Sequence, residues 1–149
     1  MLKIWDRRHK NVCKNIEAHT AEIMSVDFSP FDENLMVTGS VDKSVGVWDI
    51  RNTKTKLFSL RKHRDDVNWV KFSTNAPNLI ASASSDRRVM MWDLSKCGKE
   101  ETTKENQKGS SDLIFSHGGH TAKISDISWN RNERLMMASV AEDNVLQIW

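Results

Sequence analysis

Four residue types able to hand a proton along a chain recur together in this sequence. His19, Ser40, Asp42 and Trp48 form one set, and His63, Ser84, Asp86 and Trp92 form the next. His120, Asp143 and Trp149 form a third, with Ala141 in the serine's place. Serine, histidine and aspartate could be a nucleophile, its base and the group that orients the base, but acyl transfer needs one such site built once. A set repeated at fixed spacing reads instead as a structural hydrogen-bond chain from aspartate to histidine to hydroxyl to indole. Buried Asp and His cost free energy unless paired, so such a chain belongs inside a repeated unit. On this reading the Ala141 unit has lost its hydroxyl and its chain is incomplete.

Other reactive combinations are sparse. His117 and His120 flank two glycines, yet no third ligand of metal-site spacing stands near them, so neither metal nor cofactor is expected. Cys13 and Cys97 fall in different repeats without metal-like spacing and read as reduced thiols of an intracellular protein. No phosphate-cradling glycine loop or nucleophile elbow occurs. The residues argue for no enzyme.

The elements that must position these side chains follow from the spacing. Histidine precedes tryptophan by the same distance in each unit, 19 to 48, 63 to 92 and 120 to 149, and the aspartate always precedes that tryptophan by six. Self-similarity of this kind marks a repeat architecture. Within the first full unit, Glu22–Phe28 alternates as a strand, a turn follows at 29–34, and Leu35–Ser40, Lys43–Asp49 and Lys56–Leu60 supply three more strands. Val67–Ser73, Leu79–Ser84 and Arg88–Asp93 repeat the pattern. Four short strands per unit of about 40–45 residues, closed by Trp-Asp, are the signature of a β-propeller blade. The fold class is therefore all-β, with about three blades of a larger propeller. The chain divides into the end of one blade (1–18), a blade (19–62), a blade carrying an inserted loop at 95–111 (63–119) and an incomplete blade (120–149). Three blades do not close a ring that takes typically four to eight, so the chain is expected to be part of a longer propeller or to need a partner.

Charged residues are 28% of the 149, apolar residues 38%, and the net charge is +2, a balance that fits a folded domain and gives no nucleic-acid footprint. No run of about 18 apolar residues is present and the first ten residues lack a signal-peptide core, so no membrane association is expected.

The Trp-Asp units resemble the WD40 family over essentially the whole chain. Asp86–Glu100, Leu113–Asn130 and Ala138–Trp149 further resemble the nuclear retinoblastoma-binding histone chaperone subgroup, with His117–Asp126 the most specific stretch. The resemblance implies the C-terminal half of a seven-bladed propeller. It also implies a non-enzymatic, nuclear adaptor, with the cytoplasm as a second location. Its partners would be core-histone tails and helices and the subunits of deacetylase, acetyltransferase, Polycomb and chromatin-assembly or remodelling complexes, without direct nucleic-acid contact. Two histone surfaces are implied. On an acidic ring around the channel, Glu22 and Asp66 match acidic members, whereas Asn68 stands where the family has an aromatic and Lys123 holds the equivalent place in the third unit. On a helix-gripping surface, the inserted loop offers Glu100, Glu101, Glu105 and Asp112 to histone Arg and Lys. The altered ring and loop leave an alternative: a general WD-repeat scaffold that kept the fold and lost histone binding.

Overall fold

The computed structural model describes residues 1–5, 12–98 and 112–149. Among the described residues thirteen strands follow one another: β1 (Leu2–Trp5), β2 (Val12–Ile16), β3 (Ile23–Phe28), β4 (Leu35–Ser40), β5 (Val45–Asp49), β6 (Phe58–Leu60), β7 (Val67–Phe72), β8 (Leu79–Ser84), β9 (Val89–Asp93), β10 (Leu113–His117), β11 (Ile124–Trp129), β12 (Met137–Ala141) and β13 (Leu146–Ile148). They form antiparallel meanders of two, four, four and three strands, taken in chain order as β1–β2, β3–β6, β7–β10 and β11–β13. The all-β class and the blade-like units expected from the repeats are the fold observed. Among the described residues the only helical piece is a 3-10 turn at Leu94–Lys96, started by Asp93, whose carboxylate accepts the Ser95 amide and hydroxyl.

Local chemistry explains the hairpins. Between the second and third strands of each unit, an aspartate oxygen accepts the amide two residues on: Asp42 from Ser44, Asp86 from Arg88 and Asp143 from Val145, at 3.0–3.1 Å. The residue after each aspartate, Lys43, Arg87 or Asn144, takes a left-handed φ of 60–69° to close the turn. A bulge near the start of each first strand, at Ile23/Ser25, Val67/Trp69 and Ile124/Asp126, shifts the alternation. Val67, Val70 and Phe72 thereby reach one face, where a strict two-residue period would split them.

Successive sheets pack face to face. Val37, Val45 and Val47 of β3–β6 meet Val67, Val70, Phe72, Ile80 and Trp92 of β7–β10. One sheet further on, Ala81, Ala83, Val89 and Met91 meet Ile124, Ile127, Trp129 and Met137. Ile16 and Ala18 cover Met36 and Trp48 at the other side. Strands β4, β5, β8 and β9 are thus buried on both faces. Each fully buried Val, Ile or Phe stabilises by about 1.5–3 kcal/mol, so these three inter-sheet clusters carry the apolar stabilisation. Polar bonds stitch the inner strands: the Asp27 carboxylate accepts the Phe72 amide at 2.7 Å, the Lys71 ammonium pairs with Asp126 at 3.0 Å, and the Trp129 indole donates to the Lys71 carbonyl at 3.2 Å.

Candidate functional site

The hydrogen-bond chain is present in all three units, in an arrangement that corrects the expected one. His19 Nδ1 donates to Asp42 at 2.8 Å, its Nε2 accepts from the Thr38 hydroxyl at 2.7 Å, and the Trp48 indole donates to the same oxygen at 3.0 Å. Asp86, His63, Ser82 and Trp92 repeat this at 2.9, 2.7 and 2.8 Å. Asp143, His120, Ser139 and Trp149 repeat it at 3.2, 2.9 and 3.1 Å. The bridging hydroxyl is therefore Thr38, Ser82 or Ser139, ten residues before each tryptophan, and not Ser40 or Ser84. Register is the reason: Met36 lies opposite Trp48 and Thr38 opposite Gly46, so the indole reaches diagonally to position 38, while Ser40 lies at the strand's end. Ser40 instead donates to the Glu22 carbonyl and accepts the Asp42 amide, and Ser84 does the same with Asp65 and Asp86. Ala141 removes this turn contact only, so the third unit's chain is complete, contrary to the expectation of a gap.

Burial and bonding set the charge states. Burial pushes the Asp42 carboxyl up, but the Ser44 and His19 hydrogen bonds outweigh it and hold the group at about 2. Asp86 is likewise lowered, with burial opposing and His63 and the Arg64 amide favouring the anion. Asp143 is held at about 2, chiefly by the Thr121 amide. Burial lowers His19 below its usual value, so it is a neutral imidazole with its proton on Nδ1. The three bridging hydroxyls are sealed from solvent. The set therefore pins the strands of each sheet.

The His-Gly-Gly-His stretch is also engaged within the fold. His120 has both ring nitrogens in the chain just described, while His117 bonds Gln147 Oε1 through Nε2 and stacks on the Trp149 ring with centroids 4.5 Å apart. Among the described residues no group of three His, Cys, Asp or Glu side chains could hold a metal. Cys97 is a half-buried free thiol raised to about 11 by burial, with Asp112 and Asp93 adding to the effect, which disfavours the reactive thiolate.

The expected rim residues occupy one corner of successive sheets. The Glu22 carbonyl accepts the Val41 amide, the Asp66 carbonyl the Ser85 amide, and the Lys123 carbonyl the Glu142 amide, at 2.9–3.1 Å. This shared contact places the Glu22 side chain, exposed, and the Asp66 side chain, half-buried, at equivalent positions beside the hairpins. Asn68 donates to Ser85 at 3.0 Å at the same corner. Sequence reasoning missed Glu142, which pairs with Lys123 at 2.8 Å, so the third corner carries its acid on the neighbouring hairpin. Missed too was Trp69, which with Met24, Val26, Asp27 and Lys71 lines a groove of about 290 Å³ between β3 and β7. Asp112 lies apart from this corner: its carbonyl accepts the Asp93 amide at the far end of β9. Glu100, Glu101 and Glu105 lie outside the described residues.

A family model, WD domain, G-beta repeat, matches residues 10–49, 54–93 and 111–149.

Proposed function

We propose that this chain, which belongs to the WD40 repeat family, is a non-enzymatic adaptor whose acidic corner takes basic histone segments within chromatin assembly, remodelling and histone-modifying complexes. The coarser statement is secure: WD repeats are protein-interaction scaffolds. The histone reading rests on one observation above others, the placement of Glu22 and Asp66 at equivalent, solvent-reached positions of adjacent sheets. Carboxylates repeated at one rim give a basic, extended segment successive charge contacts, which raise its on-rate and set its register. The resemblance of His117–Asp126 to the histone-chaperone subgroup supports the same reading, and a nuclear location goes with it. The test is titration of core-histone tail and helix peptides into the protein and into its Glu22→Lys/Asp66→Lys variant. Loss of tail binding on reversal supports the proposal, and unchanged binding removes the acidic corner from it.

A second reading, a scaffold without histone binding, is favoured by the Lys123–Glu142 pair and by Asn68 turning to Ser85, which alter two positions of the corner. Affinity for basic peptides that neither falls with salt nor depends on Glu22 and Asp66 would select it.

A further inference from the structure

A net charge of +2 conceals a local separation of charge. Cations on the turns in the middle of the chain are drawn together by hydrogen bonds. The Asp86 carboxylate accepts the Arg64 amide at 2.9 Å through one oxygen and the Arg88 amide at 3.0 Å through the other. One carboxylate thus fixes the loop at 61–66 beside the β8–β9 hairpin. On one side the Lys43 ammonium donates to the Arg64 carbonyl at 3.0 Å, which joins the β4–β5 hairpin of the preceding sheet to this loop. On the other side the Arg88 guanidinium lies against Gly118, where an added Cβ would meet its Nη1 at 3.3 Å. Lys43, Arg64, Arg87 and Arg88 therefore form one band, running from the β3–β6 sheet to the loop that leads into β11.

All four side chains are exposed. Among the described residues none of them pairs with a carboxylate, whereas Arg51, Lys71, Lys96 and Lys123 each do. The Asp86 carboxylate is directed to His63 and the two amides, which leaves Asp65 and Asp66 of the loop against four cations. The turns do not need these cations. In the third unit Thr121, Asn144 and Val145 stand where Arg64, Arg87 and Arg88 do, and the same aspartate-led hairpin forms. In the first unit Thr20 and Ser44 replace Arg64 and Arg88. The band is thus a property of these particular residues and is free for a ligand.

The chemistry of the band selects the ligand. Guanidinium forks match phosphate oxygens in pairs. No exposed large hydrophobic residue lies in the segments 41–44, 61–66 and 85–88, so the band lacks the apolar anchors that dominate most protein interfaces. A nucleic-acid backbone needs none, because charge alone holds it. Turns fixed by Asp86 present the cations on a rigid surface, which suits a stiff duplex with regularly placed phosphates. We propose that this band binds the phosphate backbone of duplex DNA without regard to sequence, beside the corner formed by Glu22 and Asp66. The proposal stands whether or not that corner takes a histone segment.

Fluorescence anisotropy of a labelled duplex of about 20 base pairs, titrated with the whole chain, tests it. Affinity should fall about 100-fold between ~50 and ~200 mM salt, as roughly four phosphate contacts require. Arg64→Gln/Arg87→Asn/Arg88→Gln should flatten that fall to about threefold, the asparagine suiting the left-handed φ of 69° at position 87. Arg51→Gln, beyond the far end of β5, should change nothing. Should the triple variant fail to fold, amine acylation of the unaltered protein replaces it: duplex should shield Lys43 and leave exposed Lys54, at the opposite end of the sheet, open to the reagent. No binding at ~50 mM salt, a salt response that the triple change leaves intact, or an equal loss with Arg51→Gln overturns the proposal. So does equal labelling of Lys43 with and without duplex, and so does tighter binding of single-stranded RNA or of an acidic peptide.

Discussion

A hydroxyl held between an imidazole and an indole satisfies two buried groups at once, so its loss orphans both. Ser82→Ala leaves His63 Nε2 and Trp92 Nε1 unpaired in the interior, and each buried orphan costs about 1–3 kcal/mol. Urea unfolding should show a loss of about 2–4 kcal/mol for Ser82→Ala against about 1 kcal/mol for Ser84→Ala, which forfeits a turn contact. Equal losses would reinstate the serine next to the aspartate as the bridge. Titration gives a second handle. Asp42 and Asp143 sit at about 2 in the fold, below the roughly 3.9 of an unfolded aspartate. Their contribution is complete above pH ~4 and is lost as pH falls towards ~2. His19, lowered by burial, adds the same sign earlier, because below pH ~6.5 the unfolded chain takes up a proton that the folded one resists. Stability should therefore decline gently below about pH 6.5 and steeply below about pH 4, read from urea midpoints across pH; a flat profile between ~6 and ~3 contradicts these assignments. The sequence displayed the chain's members but offered two hydroxyls per strand, Thr38 and Ser40 or Ser82 and Ser84, on the same face. Only cross-strand register chooses between them, although the third unit, which keeps Ser139 and lacks the other, carried the hint.

Strands and turns were more legible than sites because their signals are local. Alternation and short apolar runs located the strands of the first two full units; the turn role of each aspartate, whose side chain bonds two residues ahead, emerges only from the structure. Burial was less legible. Nothing local in the sequence of β3 distinguishes Val26 and Phe28, exposed, from Val70 and Phe72, buried, since the difference lies in what stands beside them. One turn also departs from its own logic. Leu135 adopts φ 67° while exposed, at the place where the preceding unit uses Asn78 with the same φ. A left-handed leucine costs about 1–2 kcal/mol that asparagine partly avoids. Leu135→Asn should thus stabilise by about 1 kcal/mol and raise Tm by about 2–4 °C in a thermal melt; a lower Tm would mean that Leu135 has packing value not evident from its exposure.

At the scale of the whole molecule, the surface charge is nearly balanced, so specificity depends on where carboxylates gather and what already neutralises them. Lys123 occupies Glu142 at the corner where neighbouring sheets present Asp66 and Glu22. An exposed pair of this kind is worth about 0.2–1 kcal/mol. On the proposed histone reading, Lys123→Ala should tighten binding of a basic histone-tail peptide about two- to fivefold by calorimetry at low salt, with the gain fading as salt shortens the reach of exposed charges. Weaker binding would give the lysine a direct contact of its own. Another consequence lies at the opposite end of β9, where the Asp93 amide meets the Asp112 carbonyl at 2.8 Å. That bond latches the fourth strand of the sheet at this end through backbone groups, which a side-chain substitution at either position leaves in place.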